Sequence, residues 1–378
     1  MIKKRLFTPG PVSVYPPALS ASLEANIHHR TPEFKAILAD VVEALKRVFG
    51  SPDEFYLFAS SGTGAMESAV TNFFSAGEEV LVASCGKFGE RWIELVQQYG
   101  LSPTILKYSY GEPVEPDDIR ATLQSNPRLR GVFLQACESS TGVQNDIDAV
   151  AGAVKDTGAI LIVDAVSALA TMPLSCKSGI DVLLSGSQKA LMIPPGLAFA
   201  GISERAWKRV ENATLPRYYF DLRTAKKAWE QNAQTAFTPP TSLILSLQKS
   251  LQSIEESGLE RLIQLTENRA RATRAGLRAL DLQIFAKRPA NALTAVTAPE
   301  GTAEKITTEL KKRFGLQVAG GQGEMKGKIF RISHMGYLDH FDLLGVLSAL
   351  EIVLKKLGYP VTLGRSLEEF QKIYSDVA

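Results

Sequence analysis

Apolar positions recur at helical spacing in the first part of the chain: Phe34, Ile37, Leu38, Val41, Val42, Leu45, Val48 and Phe49. That stripe predicts a helix over 32–49, with Thr31 as its cap, Pro32 in its first turn and Gly50 just past its last. The period then alternates. Strands are expected at 55–59, 79–83, 131–135, 159–163 and 181–185, with helices at 62–74, 90–99 and 146–156. Val132-Phe-Leu134 and Ile160-Leu-Ile-Val163 are continuous apolar runs, as suits strands covered by helices on both faces. Strands alternating with helices imply right-handed crossovers and an α/β large domain built on a mainly parallel sheet. Ligands in such sheets bind beyond the carboxyl ends of the strands, so the polar residues just after each strand matter most.

The pattern shifts after about Ser257. A charged helix over 259–280 carries Arg269, Arg271, Arg274 and Arg278, strands follow at 293–297 and 329–333, and a closing helix runs over 339–357. This predicts a smaller α+β C-terminal domain. The expected division is 16–257 and 258–378, with residues 1–15 packing nearby.

A chain of 378 residues accommodates two such domains. The 42 basic and 40 acidic residues leave a formal charge of +2 without a long like-charge run. Neither a nucleic acid nor a membrane is therefore expected as a partner, and small molecules are. Cys85, Cys137 and Cys176 are widely separated and lack C-x-x-C spacing, which predicts no disulfide framework, no metal site and a reducing compartment. The basic start is interrupted by Thr8-Pro-Gly-Pro11 before any signal-like apolar stretch, and Ser375-Asp-Val-Ala378 matches no targeting tail. No run approaches the ~18 apolar residues of a membrane span. The expected location is cytoplasmic.

Candidate chemistry follows the strands. Lys189 lies in Leu184-Ser-Gly-Ser-Gln-Lys-Ala-Leu191, among small residues after a strand. Buried there, its amine would have a lowered pKa and serve as a Schiff-base nucleophile. Asp164 ends an apolar strand, where a carboxylate is costly unless paired. A protonated pyridine nitrogen would supply that partner, since pyridoxal phosphate (PLP) needs an acidic residue there. Ala59-Ser-Ser-Gly-Thr-Gly64 joins a strand to a helix, so Ser61, Gly62 and Thr63 would meet a phosphate at the helix start. Arg331 lies on a strand and suits a bidentate grip on a carboxylate. Gly320-Gly-Gln-Gly323 is expected to be an ordinary turn. His28, His29 and Arg30 precede a helix cap and receive no role.

Together these residues resemble the class V aminotransferases, closest to the alanine–glyoxylate and serine–pyruvate branch. The most specific segments are Glu138-Ser-Ser-Thr-Gly-Val143, Val163-Asp-Ala-Val-Ser167, and Ser185-Gly-Ser-Gln-Lys-Ala-Leu191 followed by Pro194-Pro-Gly196. The resemblance implies the PLP-dependent transferase fold, aspartate-aminotransferase-like, with PLP as cofactor. It implies Lys189 as the Schiff-base lysine and Asp164 as the partner of the pyridine nitrogen. Ser61, Gly62, Thr63 and Gln188 would hold the phosphate, Ser139 would sit near the phenolic oxygen, Val166 beneath the ring and Phe88 above it. Thr235 and Thr238 would reach the phosphate of the other subunit of a homodimer with shared active sites. Arg331 would bind the substrate carboxylate. The implied reaction moves an amino group from alanine or serine to glyoxylate or pyruvate. The alternatives are a lyase or cysteine desulfurase of the same fold, the latter disfavoured because no cysteine follows Cys176, or a non-catalytic binding protein.

Overall fold

The structure, a computed structural model, describes residues 2–24 and 26–375. Met1 and residues 376–378, at the two ends read for targeting signals, lie outside them. The first long helix, α1 (Pro32–Val48), starts as its sequence requires. Thr31 accepts a hydrogen bond from the Phe34 N–H, Pro32 opens the first turn, and Phe34, Leu38, Val41, Leu45 and Val48 face inward.

Among the described residues seven strands form one sheet: β1 (Glu54–Phe58), β2 (Glu79–Ser84), β3 (Ser102–Lys107), β4 (Gly131–Gln135), β5 (Ile160–Asp164), β6 (Val182–Gly186) and β7 (Ala198–Ile202). Their spatial order is β1-β7-β6-β5-β4-β2-β3. Only β7 is antiparallel to its neighbours β1 and β6, so the other six strands share one direction. The hydrophobic pattern points to neither β3 nor β7. β3 is an edge strand with its residues at least partly exposed, and β7 is diluted by alanine and glycine.

The continuous apolar runs have a direct explanation. Val132, Leu134, Leu161 and Val163 pack on one face of the sheet with α1, while Phe133, Ile160 and Ile162 pack on the other. On that second face lie α2 (Gly62–Phe73) and α3 (Lys87–Gln98), through Met66, Val70, Trp92 and Val96. Each strand is thus buried twice.

The smaller C-terminal domain has its own core around an antiparallel sheet of β8 (Leu293–Thr297), β9 (Ala319–Gly320) and β10 (Ile329–Ser333), in order β8-β10-β9. Gly320 therefore belongs to a short edge strand and not to an ordinary turn, because its backbone pairs with Phe330. The helix His340–Lys356 does not close the chain either. Arg365–Ser375 follows it as a further helix, held by the buried Glu351 carboxylate, which accepts from the Gly364 and Ser366 N–H groups over 2.6 and 2.8 Å. Arg5–Leu6 pairs with Leu316–Gln317, and the chain then passes from the small domain to the large one through Pro9 and Gly10.

Candidate active site

Six parallel strands deliver their C-terminal loops to one edge of the sheet. The loop after β6 carries Gln188 and Lys189. Lys189 is only 8% exposed, and its Nζ donates to the Pro9 carbonyl over 2.5 Å. No carboxylate among the described residues forms an ion pair with it. Burial lowers its pKa to about 8, opposed by the nearby Cys137 and Asp164. The approach is close: a Cβ at Gly10, where φ is +149°, would lie 2.3 Å from Nζ.

Asp164 ends β5 and is 5% exposed. Its Oδ1 accepts from the Val166 N–H over 2.8 Å. Desolvation raises its pKa, against the opposing pull of that N–H, Lys189 and Arg91. Val166 reaches across to the start of α2, where its Cγ2 would be 2.7 Å from a Cβ at Gly62. Only glycine leaves that space.

The start of α2 is left open. Ser61 is in the cap position with extended backbone, but its side chain makes no capping bond. Gln188 carries a buried amide oxygen without a partner. That oxygen and the Gly62 nitrogen would lie 3.1 and 3.6 Å from a Cβ at Gly186, which places the two groups close together. Unused helix N–H groups, a free serine hydroxyl and an orphaned amide that can turn either end outward make a cradle for a phosphate.

Two further loops frame the site. Glu138, fully buried after β4, accepts from the Phe88 and Gly89 N–H groups over 3.0 and 3.1 Å with Oε2, and from the Ser140 N–H and hydroxyl over 3.1 and 2.5 Å with Oε1. Desolvation raises its pKa while these four donors pull it back. Glu138 thereby fixes the backbone of both Phe88 and the Ser139 loop. Ser139 is buried, and its carbonyl accepts from Arg331 Nη1 over 2.6 Å. The Arg331 Nε and Nη2 donate to the Gly320 carbonyl over 3.0 and 2.7 Å. A guanidinium has five N–H groups, so one remains on each terminal nitrogen, a fork matched to a carboxylate. Burial lowers the Arg331 pKa to about 10, and Glu138 opposes the shift.

Thr235 and Thr238 are not brought to Lys189. They line a separate cavity with Phe55, Trp229, Tyr219 and Phe237, and the Thr235 hydroxyl donates to the Phe237 carbonyl over 2.7 Å. Arg30 lies beside them, with Nη1 donating to the Gln234 side chain over 3.3 Å. The motif reading of the sequence gives no role to Glu138 or Arg91. A glutamate inside Gln135-Ala-Cys-Glu-Ser-Ser is the one available signal for the former, since a carboxylate among small and apolar residues must be bonded. Among the described residues no group of three or more metal-ligating side chains occurs, and no helix is long and apolar enough to cross a membrane.

A seven-stranded mixed sheet with a smaller C-terminal domain is the arrangement of fold type I PLP-dependent aminotransferases. The chain belongs to the class V aminotransferases, whose family model, "Aminotransferase class-V", matches residues 15–335. Such enzymes use pyridoxal phosphate. The chain is 40% identical over 363 residues to the "Soluble hydrogenase 42 kDa subunit" of Anabaena cylindrica, covering 94% of each chain. It is 34% identical to the "Serine--glyoxylate aminotransferase" of Methylorubrum extorquens, over 96% of this chain and 94% of that one. A solved aspartate aminotransferase of subgroup IV from Thermus thermophilus is 34% identical with a TM-score of 0.87, over 93% of this chain and 99% of the other.

Proposed function

We propose that this transaminase moves an amino group from alanine or serine to glyoxylate or pyruvate. The observation that carries the reading is the Lys189 amine, buried, without an ion pair, with its pKa lowered to about 8 and in the electrostatic reach of Asp164. An amine in that state is a nucleophile and a base near neutral pH.

The residues fit PLP. Ser61, Gly62, Thr63 and Gln188 would hold its phosphate, Asp164 its pyridine nitrogen, Ser139 its phenolic oxygen, and Val166 and Phe88 the two faces of its ring. Bound PLP supplies the electron sink for charge that develops at the substrate Cα. Lys189 would serve as the base that takes the proton from the substrate Cα and gives it back. Arg331 grips the substrate carboxylate with its two remaining N–H groups and so orients the Cα–H bond. Phe88, held by Glu138, shields the site from water. In the second half the same fork takes the carboxylate of the 2-oxo acid.

Small substrates follow from the cations. Arg331 answers one carboxylate, whereas Arg91, the other arginine that acts on Lys189, is hydrogen-bonded to the Thr63 hydroxyl at the start of α2, so the side chain of an acidic donor would be desolvated at a cost. The relative named for serine and glyoxylate supports this preference, while the solved relative named for aspartate favours the acidic donor as a second reading. Within the same proposal a second copy of the chain brings Thr235 and Thr238 to the phosphate, the arrangement that would give these distant residues a role. The large domain then takes residues 16–257 and the small one 258–378, with Gly258 between the helices Thr241–Ser257 and Leu259–Arg278 in support.

Initial rates with alanine, serine, aspartate and glutamate against glyoxylate and pyruvate test the substrates. Alanine or serine should lead, and a clear preference for aspartate or glutamate would overturn the small-donor reading. Sedimentation tests the assembly, where a fully active monomer at assay concentration removes the shared site.

A further inference from the structure

Two guanidinium groups stand at this site without a carboxylate partner among the described residues. Arg331 keeps one unbonded N–H on each terminal nitrogen. Arg91 is the other. It lies on α3 one turn beyond Phe88, with its guanidinium carbon 4.8 Å from the centre of the Phe88 ring. Its Nη1 donates to the Thr63 hydroxyl over 3.1 Å, at the open start of α2. Its charge also reaches the two groups that define the site, favouring ionised Asp164 and opposing protonated Lys189.

Electrostatic arithmetic gives this placement a purpose. A phosphate monoester carries about −1.5 to −2 charges near neutral pH. A helix N-terminus offers roughly +0.5. Ser61, Gly62, Thr63 and Gln188 are neutral, as are Thr235 and Thr238, and Asp164 adds negative charge nearby. The cradle alone therefore leaves about one negative charge unanswered. Arg91 is the cation hydrogen-bonded to it. Because the Thr63 hydroxyl accepts from Arg91, its own proton is free to be donated outward to the anion.

We propose that Arg91 is an anion-binding residue of the cofactor site, answering the phosphate charge at the start of α2 through the Thr63 hydroxyl and its own free N–H groups. This rests on the cradle reading above. Phe88 stacked between Arg91 and the cofactor ring would place both contacts on one rigid turn.

The test separates the phosphate from the rest of the cofactor. Full-length protein stripped of cofactor is titrated with PLP and with pyridoxal, which has the same ring and aldehyde but no phosphate, and tryptophan fluorescence reports binding. The readout is the ratio of the two affinities. Arg91→Gln should lower that ratio roughly tenfold to hundredfold, by weakening PLP while pyridoxal stays within about twofold. Arg91→Lys keeps the charge without the planar fork and should lower it only several-fold. A ratio unchanged in Arg91→Gln, whether both affinities hold or both fall together, overturns the inference. If Arg91→Gln does not melt cooperatively, Arg91→Lys decides alone: a lowered ratio supports the inference and an unchanged one overturns it. Wild-type protein that binds PLP no better than pyridoxal overturns the cradle itself.

Discussion

Asp164 and Asp181 are two buried aspartates, 5% and 4% exposed, at opposite ends of neighbouring parallel strands. Asp181 precedes β6 and has every lone pair answered. It accepts from the Leu161 N–H and the Ser203 hydroxyl, each over 2.8 Å, and from Nε and Nη2 of Arg205. Asp164 ends β5 and receives one backbone N–H on one oxygen. Both lie at strand ends of the same sheet, and burial does not distinguish them. Partnering does. A carboxylate closed by an arginine is scaffold, whereas one left with a single donor near a buried lysine is the candidate for a ligand.

The sharpest way to break this contrast is Lys189→Ala. Without the amine, borohydride should trap no cofactor on the chain, and transamination should fall by on the order of 10⁴-fold or more. A trapped adduct on another lysine of the wild-type protein would remove Lys189 from its role. The next largest effect is expected from Asp164→Asn, which keeps shape and removes charge. Turnover should drop roughly a hundredfold to a thousandfold, about 3–4 kcal/mol of barrier, while the melting temperature of the cofactor-free protein holds or rises. Wild-type turnover in Asp164→Asn would return Asp164 to the scaffold class.

Much of this was readable beforehand, for physical reasons particular to each element. Strands β4 and β5 announce themselves because both faces are buried and every residue must be apolar. The carboxyl ends of β5 and β6 then direct attention to Asp164 and Lys189. β7 is obscured because Ala198, Ala200 and Gly201 fill space beside β1 and β6 without raising hydrophobicity. Gly320 reads as a turn because its part in the small sheet depends on pairing with Phe330, a contact that local pattern does not contain. Glu138 and Arg91 escape for the same reason: Phe88 and Gly89 for the one, and Thr63 for the other, lie at helix starts brought near only by the fold. The contrast between Asp164 and Asp181 is likewise invisible along the chain, since Arg205 lies beyond the next strand.

Arg331→Ala should raise KM for donor and acceptor together, roughly tenfold to a hundredfold, because one fork serves both carboxylates. Kinetics matching wild type would take Arg331 out of the site. Asp181→Asn supplies the scaffold control. It should cost about 2 kcal/mol of stability by denaturant melting, below the usual figure for a broken buried pair because the Arg205 side chain remains 40% exposed. The turnover of the folded fraction should stay within about twofold. A loss of turnover comparable to that of Asp164→Asn, without a loss of stability, would erase the distinction between the two aspartates.

The smallest expected effect is the pH dependence of the cofactor-free protein. Lys189 titrates near 8 in the folded state, below the ordinary lysine value of 10.5, because burial opposes its charge. Between those values the unfolded chain holds a proton that the folded chain has released, so stability must rise with pH. The stabilisation that this group contributes is fully present above 10.5 and is lost as pH falls through about 8. From pH 8.5 to 9.5 its share amounts to about 1 kcal/mol, since one unit of differential protonation is worth ~1.4 kcal/mol. Cys137, Asp164, Arg331 and Arg91 act on the amine through their charge, so their coupling to it belongs to the same difference. Lys189→Met fills the same space without a charge, so the difference between wild type and variant isolates the lysine. Urea melts at half-unit steps from pH 7.5 to 10 should show the wild type gaining on Lys189→Met across this window. Parallel curves would mean that Lys189 keeps an ordinary pKa.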